Sequence, residues 1–252
     1  MVSNRYQLII TFALALIISG CAAAPEVPMP VLEYGKMDAV DHQNLLILLR
    51  GRGGSHHDFE KEGIIEEVRK RGIPFDIVVP NAHFGYYKAE ILEERLKEDI
   101  IDPARAKGYR NIWLAGFSMG GVGSLFHIRR YIHDVDGVIL TSPFLGWNHI
   151  LSEIQEAGGL NNWTPPPDRE NNWQYLIWTW IKEYETEKEK YPEIYLGFGE
   201  NDLMTSSGPK LFSQTLEKEH YFSIPGNHNY KTFKKIWRQH MIRLEEKFKA
   251  LE

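Results

Sequence analysis

The chain has 252 residues, 43% hydrophobic and 25% charged, the composition of an ordinary globular protein long enough for one domain with a sizeable core. Its formal net charge of −5 is mild and no basic stripe with interleaved aromatics occurs, so nothing indicates a nucleic-acid partner. The single cysteine, Cys21, excludes an internal disulfide, a thiolate zinc framework and a dithiol redox couple.

Residues 1–20 read as a targeting segment. Arg5 gives a minimal positive start, and Leu8 to Ile18 is an apolar run too short to span a bilayer comfortably. The run ends in Ile18-Ser19-Gly20-Cys21, which resembles the lipobox of bacterial lipoproteins. That resemblance implies removal of the signal peptide before Cys21, lipidation of its thiol with acyl chains such as palmitate, and a place on a membrane surface of the bacterial cell envelope. Ala22 rather than aspartate after the cysteine is compatible with the outer membrane, on its periplasmic side, if the host has two membranes. A multi-chain lipid anchor holds a protein stably without a spanning helix. Ala22 to Pro30, with three prolines and three alanines, is expected to be an extended tether reaching roughly 28 Å at ~3 Å per residue. Residues 21–40 together form the lipidated cysteine and the lead-in to a domain at 41–252.

Within that domain strand and helix signals alternate. Leu45 to Leu49 is a continuous apolar run, as a strand buried on both faces requires. The glycine-rich Gly51 to Ser55 follows as a loop, then a helix over Asp58 to Lys70 and a strand over Phe75 to Val79. Lys88 to Ile101 has Leu92, Leu96 and Ile100 at helical spacing, and Pro103 either ends or kinks that helix. Asn111 to Leu114 is a strand, Val122 to Tyr131 a helix, and Gly137 to Leu140 and Ile194 to Phe198 further strands. A helix over Pro209 to Glu217, a strand over Tyr221 to Ile224 and an amphipathic helix over Tyr230 to Phe248 complete the chain. This alternation predicts an α/β fold, a mostly parallel sheet covered by helices on both faces. One segment breaks the rhythm: Gly146 to Tyr191 carries five of the seven tryptophans and is a possible cap, with a helix over Asn172 to Glu187 whose Trp173, Leu176, Ile177 and Trp180 face inward. Most of these aromatics suit a core, while Trp147 and Trp163 are candidates for the wall of an apolar substrate pocket.

The chemistry centres on Ala115-Gly116-Phe117-Ser118-Met119-Gly120-Gly121, a G-x-S-x-G pattern between a strand and a helix. Such a turn strains the serine backbone, and side chains at the flanking positions would collide with strand and helix, so glycines stand there. A serine hydroxyl is a poor nucleophile at neutral pH and needs a base, itself oriented by an acid. Both belong beyond the ends of later strands. Gly199-Glu200-Asn201-Asp202 follows one strand and Pro225-Gly226-Asn227-His228 the next. The order Ser118, Asp202, His228 is that of a hydrolase triad. Glu200 rivals Asp202. His220 lies at the wrong strand end, His240 on the last helix, and His127 and His133 on the far side of the nucleophile helix.

From about Leu45 to its end the chain resembles the α/β-hydrolase fold family, in a serine esterase-like bacterial branch. The resemblance to the fold family rests on the R-G-R-G-G-S loop, G-F-S-M-G, G-x-x-D at Gly199 to Asp202 and G-N-H at Gly226 to His228, and the resemblance to the branch on the run from Asn81–Tyr87 to Thr141–Gly146. It implies a cofactor-free serine hydrolase of carboxylic esters, sometimes of thioesters or amides, acting on a small-molecule or lipid ester. In that family Asp202 and His228 complete the triad. The backbone N–H of Met119 is one oxyanion donor; the other comes from the loop after the first long strand, where Arg52 is the candidate and Gly51 and Gly53 stay open because Arg50 stands where many relatives carry histidine. Acyl transfer to an envelope acceptor with the same residues, and a non-catalytic surface-binding lipoprotein on a hydrolase fold, are the alternatives. His56-His57-Asp58 lacks a third spaced ligand for a metal, and the glycine loops lack the Lys-Ser/Thr of a phosphate loop.

Overall fold

The computed structural model describes residues 23–35, 43–169, 171–205 and 207–250. The predicted signal segment, the lipobox and Cys21 lie outside the described residues.

Seven strands form one sheet in the order β1-β3-β2-β4-β5-β6-β7. They are β1 (Val31–Tyr34), β2 (Asn44–Leu49), β3 (Asp76–Pro80), β4 (Asn111–Phe117), β5 (Gly137–Thr141), β6 (Glu193–Gly199) and β7 (Tyr221–Ile224). Strands β2 to β7 are parallel, and only β1 runs antiparallel, at the edge beside β3. Parallel pairing requires a crossover between strands, which is why helices alternate with strands and why the central strands are near-continuous apolar runs. In β2 all six residues are buried. Alternate residues feed opposite layers: Leu45, Ile47 and Leu49 join one apolar cluster, Leu46 and Leu48 the other. The second cluster is closed by the last helix, Tyr230–Lys249, whose Phe233, Trp237 and Met241 pack under Phe117 and Ile139.

Several predicted elements change at their ends for identifiable reasons. The predicted helix over Asp58 to Lys70 is two helices, Asp58–Lys61 and Ile64–Lys70, because Gly63 between them adopts φ +74°. Pro103 does not end its helix. Helical turns run from Leu92 to Ala106, with a π turn at Lys97–Ile101 and Pro103 in the first turn after it, where its missing N–H is least costly. The helix predicted over Pro209 to Glu217 is Ser207–Phe212 followed by a 3₁₀ turn.

The aromatic segment covers one face of the sheet. It contains an unforeseen helix, Asn148–Glu156, and the foreseen one, Trp173–Thr186, capped by the Asn172 side chain. Trp163, Trp178 and Trp180 belong to the same apolar cluster as Leu114 and Val138 of the sheet. Of the residues predicted to face inward, Ile177 and Trp180 are buried, while Trp173 and Leu176 are only half-buried.

The expected tether also departs from prediction. Pro30 O accepts from Asn81 N at 2.8 Å, Met29 is buried with its N–H on Asp99 Oδ2 at 2.8 Å, and Glu26 exchanges two backbone bonds with the Tyr86 hydroxyl. Prolines at this density suggest extension away from the body, but here they lead an edge strand whose apolar residues and backbone groups find partners on β3 and the helix Phe84–Lys88.

Candidate active site

Ser118 lies between β4 and the helix Met119–Arg130, with φ +53° and ψ −114°. A non-glycine residue there costs on the order of 1–3 kcal/mol. Ser118 N donates to Thr141 O at 3.0 Å, and Ser118 O accepts from Gly121 N and Phe144 N, both at 3.0 Å. Three such bonds, each net about 0.5–1.5 kcal/mol, match the strain they hold. The flanking glycines are sterically required. A Cβ on Gly116 would strike the Gly120 carbonyl, one on Gly120 the Leu49 carbonyl, and one on Gly121 the Pro143 ring.

Asp202 and His228 reach Ser118 because the loops after β6 and β7 are tied together: Glu200 N donates to Ile224 O at 2.9 Å and Asn201 N to Gly226 O at 3.0 Å. His228 is then fixed by the start of the last helix, where Asn229 accepts from Thr232 N and Asn227 N donates to Thr232 Oγ1, both at 3.1 Å. Its ring stands edge-on to Phe233 at 4.9 Å. His228 Nδ1 is 2.7 Å from Asp202 Oδ2, and Nε2 is 2.9 Å from Ser118 Oγ. An ionised carboxylate only accepts, so the ring proton sits on Nδ1 and Nε2 is free to accept from the serine hydroxyl.

The Asp202 side chain is fully buried. Burial pushes its carboxyl up, but hydrogen bonds from His228 and Thr205 outweigh it and hold the group below the usual carboxylate range. Thr205 supplies both its hydroxyl, 2.6 Å from Oδ2, and its N–H, 3.0 Å from Oδ1; Met204 N adds a third donor at 3.1 Å. Thr205 was not foreseen. Its one signal is an Asp-x-x-Thr spacing that suits local side-chain-to-backbone bonding. Ser142 was not foreseen either. It is a second strained serine, φ +43°, directly after β5 and fully buried.

The rivals are elsewhere. Glu200 is exposed and accepts from Ser223 Oγ at 2.9 Å. His240 is buried with Nε2 3.2 Å from Leu140 O, His127 lies 3.2 Å from Asp134, His220 stands beside Tyr195, and His133 is exposed.

Met119 opens the nucleophile helix, and its carbonyl accepts from the Tyr87 hydroxyl at 3.2 Å. On the other side Gly51 approaches so closely that a Cβ there would lie 3.3 Å from Ser118 Cβ. Arg52 follows, exposed, with its guanidinium 4.5 Å from the Phe84 ring centroid. Arg50 is half-buried, and burial pulls its guanidinium below its ordinary value.

The two candidate pocket tryptophans part company. Trp147 is 53% exposed and packs edge-on against Phe144, ring centroids 4.7 Å apart, one residue pair from the Ser118 backbone. Trp163 is buried inside the aromatic segment, where its indole N–H donates to Glu153 Oε1 at 2.8 Å and its ring lies against Tyr175. Burying an indole N–H without a partner is costly, and the Asn148–Glu156 helix provides a partner there. Trp163 is thus a core residue of the segment, 1% exposed and held by Glu153 and Tyr175, which does not suit the pocket wall expected of it.

No protein-family model matches the chain, and no curated protein matches it. Solved structures do. An S-formylglutathione hydrolase from Staphylococcus aureus superposes with TM-score 0.59 at 12% identity, covering 88% of this chain and 98% of that one. A monoacylglycerol lipase from Paleococcus ferrophilus gives 0.56 at 15%, covering 86% and 98%. Est1E from Butyrivibrio proteoclasticus, solved with ferulic acid bound, gives 0.55 at 16%, covering 88% and 94%. Likeness at this identity speaks to architecture alone, and the architecture is the α/β-hydrolase-like fold.

Proposed function

We propose that this chain is a serine hydrolase that cleaves carboxylic esters through an acyl-enzyme. The observation that carries the reading is the unbroken bonded chain Ser118 Oγ–His228 Nε2 and His228 Nδ1–Asp202 Oδ2, at 2.9 and 2.7 Å. Ser118 Oγ attacks the ester carbonyl carbon as its proton passes to His228 Nε2. Asp202 keeps the ring oriented and stabilises the imidazolium. The N–H groups of Met119 and Arg52 bind the oxyanion that forms. Collapse expels the alcohol, which takes the proton from His228. Water then repeats the sequence on the acyl-enzyme, with His228 as base, and releases the acid. Solved neighbours of the same fold are named as a hydrolase and a lipase, in keeping with this reading.

The same reading attaches the chain to the cell envelope through a lipid on Cys21, testable as acyl-label incorporation that Cys21→Ser abolishes. For the chemistry, turnover of a short-chain chromogenic ester is expected to vanish in Ser118→Ala. Unchanged turnover in that variant refutes the assignment.

A further inference from the structure

Among the described residues, the large apolar side chains left exposed are Val27, Phe84, Trp147, Leu203 and Met204, at 63, 38, 53, 96 and 58%. Scattered singly over a surface, such residues require no explanation. These are not scattered. Phe84 follows β3, Trp147 follows β5, and Leu203 and Met204 follow β6, so all four leave the carboxyl edge of the sheet. That is the edge of Ser118, Asp202 and His228. Each is tied to the site: Phe84 lies under Arg52, Trp147 against Phe144, and Leu203 and Met204 directly follow Asp202.

Val27 belongs to the same edge by topology. Strand β1 is antiparallel to β3, with Val31 opposite Pro80, the last residue of β3. The chain therefore enters the domain at the active-site edge. Ala23 is the first described residue, and its carbonyl lies where a Cβ on Gly85 would be, one residue from Phe84.

We infer that this apolar rim docks on a lipid surface, with the mouth of the site facing the bilayer, and that the substrate is an ester carried in that surface. Two independent features specify a lipid occupant rather than a protein: the apolar side chains share the edge of the site, and the described chain begins on that edge at Ala23, two residues after the lipobox-like Cys21 in sequence. An anchor attached there holds the site edge against the membrane. The substrate half of the inference rests on the hydrolase reading; the docking half does not.

The test uses residues 21–252 with Cys21→Ser, which keeps every described residue and removes lipidation. This protein is expected to sediment with phosphatidylcholine vesicles, with a blue shift of tryptophan emission that Trp147→Phe diminishes. Phe84→Ser with Leu203→Ser is expected to weaken sedimentation at least about tenfold, given the transfer free energy of two large apolar side chains. Turnover of a short soluble ester by that double variant is expected to stay within about twofold of the parent, which also shows that it is folded. Equal vesicle binding by parent and double variant, or no binding by the parent, overturns the docking. Ser118→Ala separates the two readings: it is expected to sediment like the parent while losing all ester turnover.

Discussion

The Ser118 elbow and the aromatic segment at 146–191 are joined through Phe144, yet they obey different rules. At the elbow, geometry is dictated locally. One strained serine and glycines that no other residue can replace fix where a hydroxyl points. In the aromatic segment, position is dictated by partners distant in sequence: Trp163 is buried by Glu153 and Tyr175, and Trp178 by the Leu145 carbonyl at 2.6 Å. Substitutions at the elbow and the proposed triad should therefore change chemistry, and substitutions in the segment should change stability.

The largest expected effect beyond the nucleophile itself is at Asp202. Asp202→Asn should lower kcat about four orders of magnitude, as loss of the orienting carboxylate does in other triads, while Glu200→Gln stays within about twofold. Steady-state kinetics on a soluble ester decides this, and a large loss at Glu200 with a small one at Asp202 would reverse their roles. Next is Thr205→Val, which removes the hydroxyl 2.6 Å from Asp202 Oδ2. A hydrogen bond to a charged group is worth about 1.5–3 kcal/mol, so kcat should fall about tenfold or more with KM little changed. Trp163→Phe should do the opposite, costing about 1–3 kcal/mol in denaturant unfolding by leaving Glu153 short of a donor, with kcat/KM on the same ester unaltered.

The remaining effect is one of pH and acts on stability alone. Burial pulls the His240 imidazole down to about 3, against roughly 6.5 in the unfolded chain. Between those values the unfolded chain binds a proton that the folded one refuses. The contribution of this group to stability is therefore full above about pH 6.5 and lost as pH falls towards 3, at up to about 1.4 kcal/mol per pH unit. His240→Gln, which keeps a donor for Leu140 O, should flatten that part of the Tm–pH profile.

The same contrast explains what was legible in the sequence. Strands β2 to β7 stand out because each is a short apolar run bounded by turn residues. The proposed triad stands out because Asp202 and His228 each follow such a run in the required order. The register of the R-G-R-G-G-S loop stays open in the sequence among Gly51, Arg52 and Gly53, and the structure brings Gly51 beside Ser118. What sequence did not reveal depends on tertiary partners. Strand β1 is four residues behind a proline-rich stretch and gains its meaning only from β3. Thr205 matters only because Asp202 is buried beside it, and the two tryptophans separate only once the Asn148–Glu156 helix supplies Glu153 to one of them.

The central claim is that Ser118 is a nucleophile made reactive by His228 and Asp202. Reaction with a fluorophosphonate probe followed by peptide mass mapping tests it most directly. The account predicts one adduct, on Ser118, absent in Ser118→Ala and formed far more slowly in Asp202→Asn. Labelling that persists in Ser118→Ala, or a wild-type protein inert to the probe, would contradict it.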